Sequence, residues 1–267
     1  MVAWLFALLL AGATSAYAQE KNWSLALGLK VWANDWSTFS VYDDPVSGTH
    51  VTGYTSDSPV AALLPTITFK YKNFFINAGY FTSGTYNFPQ FSELQNLGAF
   101  GTKLVTSKAT AKRDEFDINL GWQFHPRLAA TIGYKEVRQK YSFTNTAPGV
   151  PFQNPFESKT TYKIPTIGLL GNAPLGDDSR LFIYGIGAWG PSISVTFSPS
   201  CNGCNTPSGW YGTAETGIGY AFSKNWLGTL GFKTQTIHQT TKSQVGAPDQ
   251  VADDTTYGFI GGITFAF

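Results

Sequence analysis

The chain has 267 residues, 16% of them aromatic and only 13% charged, with 18 Lys and Arg nearly balancing 17 Asp and Glu. Scarce charge, abundant aromatics and 28 glycines suit strands facing an apolar medium better than a water-soluble surface. A net charge near zero lacks the concentrated basic excess of a nucleic-acid binder, so no nucleic-acid partner is expected. Residues 1–18 read as a secretory signal. An apolar stretch from Val2 to Ala11 leads through Gly12, Ala13 and Thr14 to Ala16-Tyr17-Ala18, the small-x-small pattern before a cleavage site, and Gln19 is the expected mature start. No Lys or Arg precedes the run, a departure from the usual signal, but the run is too short to cross a bilayer as a helix. No cysteine follows the cleavage site, which argues against a lipoprotein anchor. No later window offers the about 18 consecutive apolar residues that a membrane helix requires.

From there to the end, 19–267, one domain with a dominant period of two is expected. Trp23, Leu25, Leu27, Leu29 and Val31 fall on one face of the first segment, with Ser24, Ala26, Gly28 and Lys30 on the other. Phe116, Ile118, Leu120, Trp122 and Phe124 alternate in the same way with Glu115, Asp117, Asn119, Gly121 and Gln123, and the last segment repeats the design through Tyr257, Phe259, Ile263, Phe265 and Phe267. Strands are predicted at 22–33, 59–72, 74–82, 110–124, 127–142, 159–171, 180–197, 209–222, 225–238 and 255–267. Short turns fall at Lys72-Asn73, His125-Pro126, Gly176-Asp177-Asp178 and Ser223-Lys224-Asn225. They alternate with longer loops over 34–58, 83–109, 143–158, 198–208 and 239–254. That alternation predicts an all-β fold, a closed antiparallel up-and-down transmembrane β-barrel of about ten strands, eight or twelve if 83–109 or the region near Pro191 is divided otherwise. Both termini then sit at the short-turn, periplasmic rim. The competing reading is a soluble sandwich or lipocalin-like barrel with its apolar face inward. Bulk argues against it, because Trp, Phe, Tyr and Leu fill the apolar face while Gly, Ala, Thr, Lys and Asn fill the other. Broken alternation at 164–171 and 181–197 places Ile167, Leu169, Leu181 and Ile183 on the inner face.

The export signal, the alternating segments and the closing strand Tyr257-Gly-Phe-Ile-Gly-Gly-Ile-Thr-Phe-Ala-Phe267 together resemble the outer-membrane β-barrel proteins of Gram-negative bacteria, as a broad class. The resemblance implies a place in the cell outer membrane, with outer-membrane lipid and lipopolysaccharide as surroundings. It also implies handling by the barrel assembly machinery, for which Phe267 would serve as the assembly signal.

The inward set contains Lys30, Lys70, Arg113, Lys135, Lys163 and Lys233 against Glu115, Asp117 and Glu215. A charged lumen has two readings: a plug of ion pairs, or a narrow, net-basic pore for small anions or polar solutes. The leading functional expectation is a narrow passive channel or uptake barrel. The alternative is a structural or surface-interaction barrel acting through extracellular loops, with Trp36, Phe39, Tyr42, Phe88, Pro89 and Phe91 as contact area. No enzyme is expected. Only His50, His125 and His238 exist, the His-x-Ser arrangement of barrel phospholipases is absent, and Asp253 and Asp254 are better explained as a solvated loop tip although they could approach His238. Cys201 and Cys204, in Ser-Pro-Ser-Cys-Asn-Gly-Cys-Asn-Thr-Pro, are expected to close a small loop disulfide. No cofactor or metal is expected, since the glycines fall at strand spacing and the loop aspartates have no metal-ligand pattern.

Overall fold

A computed structural model describes residues 22–44, 48–152, 155–176, 180–198, 208–241 and 250–267, without the side chains of 41–44, 48–52, 93–96 and 250. The expected signal segment, its cleavage site and the Cys201–Cys204 disulfide lie outside the described residues. Fourteen strands form one sheet: β1 (Trp23–Asp44), β2 (Gly48–Thr55), β3 (Val60–Tyr71), β4 (Phe74–Ser83), β5 (Tyr86–Asn87), β6 (Phe91–Asn96), β7 (Thr102–His125), β8 (Leu128–Thr146), β9 (Phe156–Pro174), β10 (Leu181–Gly190), β11 (Ser194–Ser198), β12 (Ser208–Ala221), β13 (Trp226–Thr241) and β14 (Gln250–Ala266).

Every pairing is antiparallel, and the sheet closes on itself in the order β9-β10-β12-β13-β14-β1-β3-β4-β7-β8, with β8 returning to β9. The described residues hold fourteen strands where about ten were expected, because three positions around the ring are continued by four further segments. β2 runs along the upper half of β1 beyond β3, β5 and β6 run along β7 beyond β4, and β11 runs along β9 beyond β10. The breaks fall at Pro59, at Gly84 to Pro89 and at Pro191. Proline has no N–H to give the ladder, so a strand stops there and restarts.

The outer wall is apolar over one band. Trp23, Leu25, Leu27, Leu29, Val31 and Ala33 face outward from β1, and Phe259, Leu169 and Phe222 are 69%, 63% and 60% exposed. Aromatic pairs rim the short-turn end, with Trp226 and Phe265 at 4.8 Å, Phe265 and Phe267 at 4.7 Å, and Trp122 and Phe124 at 5.8 Å. Ile167, Leu169, Leu181 and Ile183 belong to this outer wall, not to the inner face, at 37–63% exposure. Lipid solvates them at no cost, whereas Thr166, Gly168, Phe182 and Tyr184 take the inner positions.

At the upper edge of the band the outward residues turn polar, at Asp35, Thr82, Asp114, Glu136, Lys163 and Thr234. A tilted strand needs about 9–11 residues to cross a bilayer. β1 has 22 and β7 has 24, so the sheet continues well above the membrane. The expected loops 34–58 and 83–109 are therefore largely strand.

The lower interior is packed solid by Trp32, Leu64, Phe75, Phe81, Phe182 and Ile260, none more than 6% exposed. Two of these rings lie flat on a neighbouring strand's glycine, since Phe75 pairs with Gly121 and Phe182 with Gly219, and a Cβ at either glycine would run into the ring. Gly219→Leu is expected to lower stability by about 1–3 kcal/mol through overpacking. Heat-dependent gel migration of the detergent-solubilised barrel would show it, and Gly219→Leu with Phe182→Ala should recover part of the loss.

Candidate functional site

Among the plug's upper rings, and above them, lies a network of charge, with Lys30 in register with Leu64 and Glu115 with Phe81. The structure places Lys30, Arg113, Glu115, Lys135, Glu215 and Lys233 inside at no more than 2% exposure, with Asp117 at 9% and Lys70 at 6%. Arg113 Nε donates to Glu115 Oε1 at 2.7 Å, and Lys135 bridges Glu115 and Asp117, lying 3.0 Å from Asp117 Oδ2. The Gln235 amide also donates to Glu115, and Arg113 Nη1 donates to Thr256 Oγ1 at 2.9 Å. Across the lumen Lys30 pairs with Glu215 at 3.3 Å, Tyr184 donates its hydroxyl proton to the same carboxylate at 2.9 Å, and Lys233 lies 4.4 Å over the Trp32 ring. Lys70 sits apart, near the short-turn rim, donating to Gln123 at 2.7 Å. These contacts tie β1, β7, β8, β10, β12, β13 and β14 together through their inner faces, and aromatic rings occupy the remaining space.

Lys163 is the exception among the expected lumen residues. It is exposed on the outer face of β9, while its neighbours Tyr162 and Ile164 point inward. Lys163 and Ile164 are adjacent, so a strand must turn one of them out. Above the lipid band the outer surface meets water and headgroups, and exposing the lysine while burying Ile164 against Val137, Ile193, Tyr211 and Ile237 is the cheaper choice. The expected basic excess inside also shrinks, because Asp254 joins the interior as an acid.

Over the charge layer the barrel opens into a cavity of about 330 Å³ at the end away from the termini. Its wall sets the rings of Tyr54, Phe88, Phe91, Tyr141, Phe143 and Tyr162, with Phe197 from β11, among polar side chains such as Thr38, Ser40, Gln139 and Gln239. Tyr54 and Phe91 meet at 4.4 Å, and Tyr141 stacks on Phe143 at 5.9 Å. At its base the Asp254 carboxylate accepts from Trp36 Nε1 at 3.3 Å and from the Tyr162 hydroxyl at 3.4 Å. Burial pushes this carboxyl above the ordinary carboxylate range, against the opposing pull of Thr38, Gln139, Trp36 and the Arg113 charge. Arg113 Nη2 has no hydrogen-bond partner among the described residues. The site thus offers an apolar cup with a carboxyl and a guanidinium beneath it.

Several expectations change here. Trp36 is fully buried under the cup and Phe88 is 4% exposed, so neither is a loop tip; Phe39 does face outward, 41% exposed. The side chains of Tyr42 and His50 are outside the described residues. His238 and Asp253 do meet, Nδ1 to Oδ1 at 2.7 Å, but on the outer wall, where Trp210 stacks on the imidazole at 5.5 Å. Asp254 faces the other way, as strand alternation demands of adjacent residues. Sequence reasoning missed the cup because Tyr54, Phe88, Phe91 and Ala109 fall in the expected loops 34–58 and 83–109, and Phe143 falls just past the strand expected to end at 142.

The charge layer makes a quantitative demand. Glu115→Gln strands Arg113 and Lys135 against a neutral partner and is expected to cost about 3–5 kcal/mol of stability. Thermal unfolding in detergent micelles would record it, whereas Lys163→Gln on the outer wall should leave the transition in place.

No family model matches the chain, and no curated protein matches it. Among solved structures, the outer membrane protease OmpT from Escherichia coli is similar with a TM-score of 0.64 at 13% identity, covering 94% of this chain and 99% of that one. The P. putida toluene transporter TodX matches at 0.34 and 10% identity over 98% and 93% of the two chains, and the Yersinia pestis attachment invasion locus protein Ail at 0.33 and 6% over 91% and 99%. Scores that low carry no weight, and 13% identity to OmpT is a likeness of fold alone. The closed ring, the lipid-facing band and that likeness together give this chain the fold of a Gram-negative outer-membrane β-barrel, embedded in that membrane.

Proposed function

We propose that the protein is a plugged outer-membrane barrel that works as a binding module at its extracellular mouth. One observation carries this reading: the lumen is packed shut by Trp32, Phe75, Phe81 and Phe182 and cross-linked by buried ion pairs, while the mouth above holds an open aromatic cup with Asp254 at its base. The passive channel expected from the polar inner face is the weaker reading. Most of its lining charges are spent on one another, and a conducting path would have to pass side chains with almost no solvent contact.

The cup suits a small amphipathic molecule with a flat apolar body and one donor head group, a hydroxyl, amide or ammonium, directed at Asp254. Its volume is at the lower end of small-molecule sites. Aromatic walls favour such a body and tolerate a cation against their faces. The reading makes the protein a binder and not an enzyme. The His238–Asp253 pair lies outside the cup, on the outer wall beside Trp210.

Calorimetry on the full chain in detergent micelles, with benzylamine, benzyl alcohol and toluene as probes, tests this. The two donor-bearing probes should bind more tightly than toluene, and Asp254→Ala should remove about tenfold of that preference. Equal binding of all three, or indifference to both Asp254→Ala and Tyr141→Ala, would overturn the proposal. Because burial raises the Asp254 carboxyl, lowering the pH protonates it earlier than an exposed carboxylate, so benzylamine should weaken on acidification while benzyl alcohol changes little. In planar bilayers the wild type should show no sustained conductance. Steady channel steps whose ion selectivity reverses on Lys233→Glu would restore the channel reading.

A further inference from the structure

The outer wall above the lipid band is electrostatically lopsided. Among the described residues, every Lys or Arg that faces outward there lies on β7, β8 or β9: Lys108, Lys112, Arg138, Lys140, Lys159 and Lys163. The corresponding outward positions elsewhere are Asp35, Ser37, Thr82, Thr234, Thr236 and Asp253.

Register arranges these cations in rows. Lys112 pairs with Lys140, and Lys140 with Lys159, which places three lysines side by side on adjacent strands about 4.8 Å apart. One row down, Asp114 pairs with Arg138, and below that Glu136 pairs with Lys163. The same rows continue onto β11 as Ser198, Thr196 and Ser194, adding hydroxyl donors. Like charges directly opposite each other destabilise a sheet. Three nearby acids offset half of the six cations, and the patch keeps a net excess of three positive charges. Glu136 is taken by Arg138 at 2.6 Å, Glu157 by Lys140 at 2.8 Å, and Asp114 by the Thr82 hydroxyl at 2.8 Å. Lys112, Lys159 and Lys163 form no ion pair among the described residues.

Height decides the occupant. Directly beneath the patch Phe116, Tyr134 and Pro165 close the lipid band, and from Phe116 up to Lys112 is four residues, about 14 Å along a tilted strand. The cations therefore occupy the headgroup zone of the leaflet in which the barrel sits. From this juxtaposition we propose that the outward face of β7, β8 and β9 is a binding site for the phosphate groups of an anionic, phosphorylated glycolipid of the outer leaflet, whose acyl chains lie against Ile118, Ile132 and Ile167 below. The site is independent of the mouth cavity, which opens on the opposite face of the same strands.

The test uses the full chain in phosphatidylcholine nanodiscs doped with diphosphorylated lipid A, with bound lipid counted by native mass spectrometry and affinity measured by titration. Lys112→Ser/Lys140→Ser/Lys159→Ser should bind lipid A roughly a hundredfold more weakly. A control of equal charge loss at the other rim, Lys72→Ser/Arg127→Ser/Lys224→Ser, should bind like wild type. Unchanged heat-dependent migration of both variants shows that the barrel is intact, as the exposure of these side chains leads one to expect. Wild-type affinity in the first variant, or equal loss in the control, overturns the site. If inorganic phosphate or phosphatidylglycerol displaces lipid A at matched concentration, the glycolipid assignment is overturned and only a generic anion surface is left.

Discussion

Hydrocarbon offers no partner to a peptide group, and everything else in this molecule follows from that. A spanning sheet must satisfy every N–H and C=O internally, which for strands means closing into a ring. Here the closure runs through β1 and β14, paired from Ala26–Ala266 to Tyr42–Gln250, and through β9 and β10 on the far side. Once the ring is closed, each strand has one face for lipid and one for the interior, and the chemistry of the two faces separates. Trp, Leu, Ile and Phe go outward because acyl chains solvate them, and the polar residues go inward, where they must find one another.

Ten positions around a ring leave an interior too wide for aliphatic chains alone and too narrow for water to hydrate so many charges. The protein fills the lower part with rings laid on glycines and the middle with a network in which Glu115 is held by Arg113, Lys135 and Gln235. Such a network adds little net stability relative to an apolar core, but losing one member leaves a buried charge uncompensated, so it fixes one arrangement of the wall. A floor held in one arrangement is what a cup above it needs if Asp254 is to stay aimed at the same point.

The outer wall was legible in the sequence because alternation is local: Trp23 to Val31 and Phe116 to Phe124 declare their face within nine residues. The inward charges were legible for the same reason, as the residues between. The plug was not. That Phe75 closes on Gly121 and Phe182 on Gly219 depends on pairing between segments far apart in the chain. Lys163 was misplaced because Thr160 to Thr166 alternates equally well in either phase, and only the packing of Ile164 against β8, β12 and β13 chooses between them. The mouth was hidden by composition. Residues rich in Ser, Thr and Asn look like loops, yet β7 and β8 carry them in register as far as Thr106 and Thr146.

That persistence of sheet above the membrane changes what kind of receptor the proposed cup would make. A cup framed by connecting segments has to settle around each visitor and surrenders conformational freedom in doing so. One framed by the upward continuation of the same staves is already set, and complementarity is spent on the guest instead of on the host. It also divides the labour of change over evolutionary time, since the tips of the staves can vary with the cell's surroundings without disturbing the geometry at their base.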